Sequence, residues 1–191
     1  MTDNKSMIAD TTQRIFRELG DPYDVKNTER RNLHANNPLW RALHEAGLTR
    51  TWISETLNGA GATLADGFEV LRIAGQFAVS APLAETLLAG WLLEQAGIPL
   101  PDGVITLAPV DIRDCITLSL DGKLTGSARS VPFAQGATQF AVFAMRDKQA
   151  SIALVERQLC ELKTAANLAG DARDVVSLRA VSPNLIANTA I

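Results

Sequence analysis

The sequence predicts an α+β chain: an N-terminal all-α helical domain followed by a small antiparallel β-barrel or sandwich domain. Three observations carry this. Apolar residues recur at helical spacing up to about position 96. A turn-rich segment, Gly97-Ile98-Pro99-Leu100-Pro101-Asp102-Gly103, then interrupts the pattern. Beyond it the period becomes two, and segregated helices and strands point to α+β architecture or two domains. The expected domains are residues 1–98 and 99–191.

Four helices are expected. The first covers 6–19, capped by Ser6, with Ile8, Thr11, Ile15, Phe16 and Leu19 on one face and Gly20 and Pro22 ending it. Residues 21–36 are polar and read as a loop. Asn37 caps the second helix and Pro38 takes its first position, where the missing N–H costs nothing; Leu39, Trp40, Leu43 and Ala46 form its apolar face and Gly47 closes it. The third runs from Leu64 to about Val79, with Phe68, Leu71, Ala74, Phe77 and Ala78 buried. Pro82 opens the fourth, which reaches Ala96 and carries so many leucines that it must be buried on several sides.

About six strands follow. Cys115 to Leu120 alternates, with Ile116, Leu118 and Leu120 on one face, and Asp121-Gly122 matches a two-residue hairpin turn to Lys123–Ser127. Phe140–Met145 and Ser151–Val155 pair across Arg146-Asp147-Lys148-Gln149, and Asp174–Val181 is a further strand. Periodicity leaves Gln158–Ala169 open between strand and helix.

Composition narrows the function. Hydrophobic residues make up 47% of 191 residues and charged residues 20%, enough to build a core without metal or disulfides. A net charge of −3 offers no footprint for nucleic acid, and Arg30-Arg31 is too short to change that. The polar N-terminus has no signal-peptide core, and no apolar run reaches membrane-spanning length. The expectation is a cytoplasmic protein with no membrane partner. Cys115 and Cys160 follow no metal spacing and read as two thiols, with a contact between them left open. His34 and His44, the only histidines, join no ligand cluster. Gly59-Ala60-Gly61-Ala62-Thr63-Leu64 looks like the start of a dinucleotide fingerprint, but no strand precedes it; it reads as a turn entering a helix near Thr63 or Asp66.

One resemblance goes further. Trp40-Arg41-Ala42-Leu43-His44-Glu45-Ala46-Gly47-Leu48, then Trp52-Ile53-Ser54-Glu55 and Asn58-Gly59-Ala60-Gly61, resembles the N-terminal domain of acyl-CoA dehydrogenases. Glu69 on the next helix, Pro82-Leu83-Ala84-Glu85-Thr86 at the join and Gly97 at the end extend the likeness over residues 38–98. Leu124-Thr125-Gly126-Ser127 and Val131-Pro132-Phe133-Ala134-Gln135-Gly136-Ala137 are similar to the family's middle domain. Two departures stand out. The family's Thr-Glu-Pro segment beside the flavin falls on Leu107, Ala108 and Pro109, and its Trp-Ile-Thr on Ser130-Val131-Pro132.

The resemblance implies FAD as cofactor and an acyl-CoA thioester as substrate. It places the flavin contacts at Thr106, Leu107, Ala108, Pro109, Arg129, Ser130 and Val131. It assigns no catalytic residue here: Glu55, Glu69 and Glu85 read as helix-end, loop-fixing or surface acids. In the family a C-terminal four-helix bundle supplies the catalytic carboxylate, and Ile191 falls near where that bundle begins. The implied partner is a homo- or hetero-oligomer with a chain carrying that bundle. The alternative is a non-catalytic assembly or scaffolding subunit derived from the same fold.

Overall fold

The computed structural model describes residues 2–20, 37–78 and 81–189. The expected loop over 21–36, with His34 and Arg30-Arg31, lies outside them, as does Val79.

The helical part comprises α1 (Thr2–Leu19), α2 (Pro38–Glu45), α3 (Leu64–Gln76) and α4 (Leu83–Gln95). Helix α1 starts at Thr2 rather than after a Ser6 cap. Helix α2 begins as its sequence dictates: the Asn37 side chain accepts from the backbone N–H groups of Leu39 and Trp40, with Pro38 at the first turn. Gly47 adopts the left-handed φ of 74° just past its end. Thr63 and Asp66 cap α3 reciprocally, each side chain accepting from the other's backbone N–H.

The expected buried face of α3 holds in part: Leu71, Ala74 and Phe77 pack against the core, while Phe68 and Ala78 do not. Gly67, Val70 and Ile73 point inward, and Phe68 is 59% exposed. The cause is Trp52, whose indole lies against the helix where Gly67 has no side chain. Its Nε1 donates to the Leu64 carbonyl at 3.2 Å. Phe68 instead meets the Trp52 ring edge-on, with centroids 5.2 Å apart.

Helix α4 is buried or half-buried along nearly its whole length, as its leucines predict; Leu88 and the terminal Gln95 are exposed. Leu83 and Leu87 join Phe16, Leu43, Trp52 and Val70 in the helical core. Ala89 and Leu93 join a second cluster with Ile53, Leu100, Ile105, Ala141, Ile152 and Leu154, most of them from the sheet and the segment leading into it. Thr86 crosses the same joint, its hydroxyl donating to the Ile105 carbonyl at 2.8 Å.

Among the described residues eight strands form one sheet: β1 (Ile105–Ala108), β2 (Ile116–Leu118), β3 (Leu124–Val131), β4 (Gln139–Arg146), β5 (Gln149–Glu156), β6 (Glu161–Lys163), β7 (Asp174–Val181) and β8 (Leu185–Asn188). Their order is β6-β7-β3-β2-β4-β5-β8, with β1 also against β4. The sheet is open, so the expected barrel or sandwich is corrected: β6 and β8 are edges that do not pair. Nor is it wholly antiparallel, because β1 and β2 both run parallel to β4. Strands β4 and β5 are covered on both faces. Phe140, Val142, Ala153 and Val155 pack in the sheet's own core with Leu124, Ala128 and Val176, while Ala141, Ile152 and Leu154 meet α4. Burial on both faces explains why their sequences are nearly continuous apolar runs.

The β2–β3 connection is wider than a two-residue hairpin. Pairing stops at Leu118↔Leu124, and the Ser119 hydroxyl donates to the Lys123 carbonyl and accepts from its N–H, both at 3.0 Å. Leu120 therefore lies in the turn and is 91% exposed rather than continuing the buried face. The β4–β5 turn is as expected, with Asp147 at φ 53° between the paired Arg146 and Gln149. The undecided segment resolves into a 3-10 turn at Arg157–Leu159 and the short β6.

Two substitutions test these joints by urea unfolding. Gly67→Ala places a methyl into the Trp52 indole; overpacking of about 1–3 kcal/mol outweighs the gain of about 1 kcal/mol in helix propensity, so net destabilisation is expected. Thr86→Val removes a buried hydroxyl donor at constant shape and is expected to cost about 1–3 kcal/mol.

Candidate functional site

Strand β1 leaves the sheet through a cis Ala108–Pro109 peptide and enters an exposed loop, residues 109–115. That loop is latched to β3. The Asp114 carboxylate accepts from the Arg129 backbone N–H and from its Nε, each at 2.6 Å. It also forms an ion pair with Arg129 Nη2 at 2.6 Å. Asp111 accepts from Arg113 Nε at 2.9 Å and Nη2 at 2.6 Å, and lies 3.9 Å from Arg129 Nη2. The two segments singled out in the sequence, 106–109 and 129–131, are thus linked by Asp114. Neither aspartate was singled out in advance. The visible signal was the charge alternation Asp111, Arg113, Asp114 opposite Arg129.

No family model and no curated protein sequence matches the chain. Solved structures do. The chain is similar to a chain of a variant of the Tcur3481-Tcur3483 steroid acyl-CoA dehydrogenase, with TM-score 0.81 and 22% identity over 99% of its length. It is similar to a chain of the ChsE4-ChsE5 complex from Mycobacterium tuberculosis, with TM-score 0.79 and 19% identity over its full length. The chain has the acyl-CoA dehydrogenase fold in part. It spans 58% of the length of each of those two chains. A third neighbour with the same fold is XiaF from Streptomyces sp., solved in complex with FADH2 and glycerol: TM-score 0.73, 14% identity, 98% of this chain and 53% of that one. The fold is therefore one that occurs in flavin-dependent oxidoreductases.

The seven expected flavin contacts differ in availability within this acyl-CoA dehydrogenase fold. Thr106, Ala108 and Val131 are buried, and the Thr106 hydroxyl has no hydrogen-bond partner among the described residues. Leu107 and Pro109 are half-buried. Arg129 and Ser130 are exposed, Ser130 at φ 57° where the β3–β7 register is irregular. Beside them Val110 is exposed and Ile112 is 100% exposed.

A flavin ring has two flat, largely apolar faces. The Pro109, Val110 and Ile112 side chains fit such a face, and the Ser130 hydroxyl fits its polar edge. The diphosphate of FAD fits less well. Arg129 is engaged by Asp114, and Arg113 by Asp111, so each guanidinium of this surface already has a carboxylate partner.

The remaining titratable groups fall elsewhere. His44 Nδ1 lies 3.2 Å from the Thr49 hydroxyl and Nε2 lies 3.8 Å from Asp102, which makes it a packing residue of α2. Cys115 is exposed and Cys160 buried, both are free thiols, and burial pushes Cys160 up to about 11. Glu69 pairs with Arg72 at 2.6 Å, within α3. Of the alternatives for Glu85 the helix-end one holds: it is half-buried in the first turn of α4, and burial raises its carboxyl above the ordinary range against the opposing pull of Arg173. Among the described residues no cluster could hold a metal ion, and no helix is long and apolar enough to cross a membrane.

The Arg113 hydrogen bonds hold the Asp111 carboxyl well below the usual carboxylate range. A depressed folded value contributes stability above the unfolded value of about 4, and this is lost as pH falls from there through the lowered value. An NMR titration of the Asp111 carboxyl carbon is expected to show a midpoint below that of free aspartate, and Arg113→Ala is expected to move it back up.

Proposed function

We propose that this chain is a portion or subunit of a flavin-dependent acyl-CoA dehydrogenase. In this reading residues 1–98 are the helical domain and 99–191 the β domain. Together they form one wall of the flavin and acyl site, and they work with a C-terminal helical domain carried by the same polypeptide or by a partner chain. The observation that carries the reading is the Asp114–Arg129 latch. It aligns the loop after β1 with the end of β3 in a fold similar to a steroid acyl-CoA dehydrogenase chain and to a chain of the ChsE4-ChsE5 complex.

Bound FAD supplies the hydride acceptor for dehydrogenation across the Cα–Cβ bond of an acyl thioester. The chain's own residues orient it. Val110, Ile112 and Ser130 are the exposed residues that would hold the flavin ring, and Asp114 keeps the loop and β3 in register. The α-proton needs a base within hydrogen-bonding reach and with a well-matched pKa. Asp111, held low by Arg113, is poorly matched, and Asp114 is engaged by Arg129. The resemblance to acyl-CoA dehydrogenases assigns the base to the C-terminal helical domain, outside this wall. The same engagement of Arg129 favours a second reading, a scaffolding subunit that completes a partner's flavin site without catalysing.

Flavin fluorescence decides between them. FAD is expected to be quenched by the chain and bound more tightly after co-expression with a chain carrying a C-terminal helical bundle. Asp114→Ala is expected to weaken binding about tenfold by releasing the loop. Absence of binding in both preparations sinks the flavin reading. Binding without acyl-CoA-dependent dye reduction selects the scaffold.

A further inference from the structure

A second polar site lies at the other end of β1. Ile105 pairs with Gln139 at the start of β4, three residues before the Ala108↔Val142 pair that leads to the candidate flavin wall. The separation is on the order of 10 Å. Here a cleft of about 460 Å³ opens between the segment joining α4 to β1 and the ends of β4 and β5, lined by Asp102, Thr138, Gln139, Glu156 and Arg157 among others. That volume is in the range of small-ligand sites, and such sites favour junctions of this kind.

Its polar groups are unevenly satisfied. Arg157 is fixed by its backbone N–H, which donates to the Thr138 carbonyl at 3.0 Å. Its guanidinium has no hydrogen-bond or ion-pair partner among the described residues, and its Nε is shielded from solvent without an acceptor. The Gln139 Oε1 is likewise buried without a donor. An unpaired guanidinium in a half-buried setting calls for an anion.

The carboxylates restrict which anion. Glu156 is engaged on both oxygens, Oε1 by Asn184 Nδ2 at 3.0 Å and Oε2 by Gln158 Nε2. Asp102 is 86% exposed and accepts from Arg50 through Oδ1 at 2.7 Å, so its second oxygen remains available to a donor. A dianion such as phosphate would face two carboxylates. A molecule with a carboxylate at one end and an ammonium at the other matches both sides of the cleft.

We propose that this cleft binds a small zwitterion, an amino-carboxylate whose carboxylate pairs with Arg157 and Gln139 and whose ammonium pairs with Asp102. The site is independent of the flavin reading and survives its failure. Isothermal titration calorimetry of the chain with β-alanine, acetate and inorganic phosphate tests it. β-Alanine is expected to bind saturably and more tightly than acetate, with phosphate weakest. Arg157→Gln is expected to weaken β-alanine at least about tenfold, and Asp102→Asn to bring β-alanine down to the level of acetate. No saturable heat from β-alanine up to about 10 mM, equal affinity in wild type and Arg157→Gln, or phosphate binding tighter than β-alanine overturns the proposal. Thermal unfolding checks each variant. Should Arg157→Gln fail to fold, Arg157→Lys, which keeps the charge and loses the planar fork, is expected to bind less tightly than wild type.

Discussion

Helix α4 is the joint on which the structure depends. One part of its surface closes the helical core through Leu83 and Leu87, and another closes the inner sheet cluster through Ala89 and Leu93. A helix shared by two cores cannot rotate or slide without opening one of them, since interiors are packed at near-crystalline density. Thr86 sets the register of the contact by bonding to Ile105, the first residue of β1. That bond ties the helix to the strand that pairs in parallel with β4 from Ile105↔Gln139 to Ala108↔Val142.

From that anchor the chain reaches two sites in opposite directions. Toward its C-terminal end, β1 runs through Pro109 into the loop that Asp114 ties to Arg129. Toward its N-terminal end, it meets Gln139 beneath the cleft that holds Arg157. The two ends have different electrostatic character. At the loop each arginine is matched by an aspartate, which favours an apolar, planar occupant over a phosphate. At the cleft one guanidinium is unmatched among the described residues, which favours an anion. The contrast follows from local pairing, because the net charge of −3 is spread over the whole chain.

Much of the helical part was legible residue by residue. Asn37-Pro38 marks a helix start because a side-chain oxygen and a missing N–H both suit that position. Thr63 and Asp66 do the same for α3. The burial of Gly67 in place of Phe68 on α3 was not legible, because Phe68 is the larger apolar residue and Gly67 looks like a void. The void is what Trp52 occupies, and that contact spans fifteen positions of the sequence. Strands β1 and β8 escaped notice because four-residue segments carry too little alternation to register.

The sequence by itself determined the succession of helices and then strands, the starts of α2, α3 and α4, the β4–β5 turn and the likeness to acyl-CoA dehydrogenases, because these depend on neighbouring residues or on motifs. The tertiary structure decided that the sheet is open and partly parallel, that Asp111 and Asp114 hold the loop, that Glu85 is half-buried, and that the Arg157 guanidinium has no hydrogen-bond or ion-pair partner among the described residues. Each of these depends on which distant segments meet. Pairing across a sheet and across α4 is set by total burial over the whole chain, which no local pattern encodes.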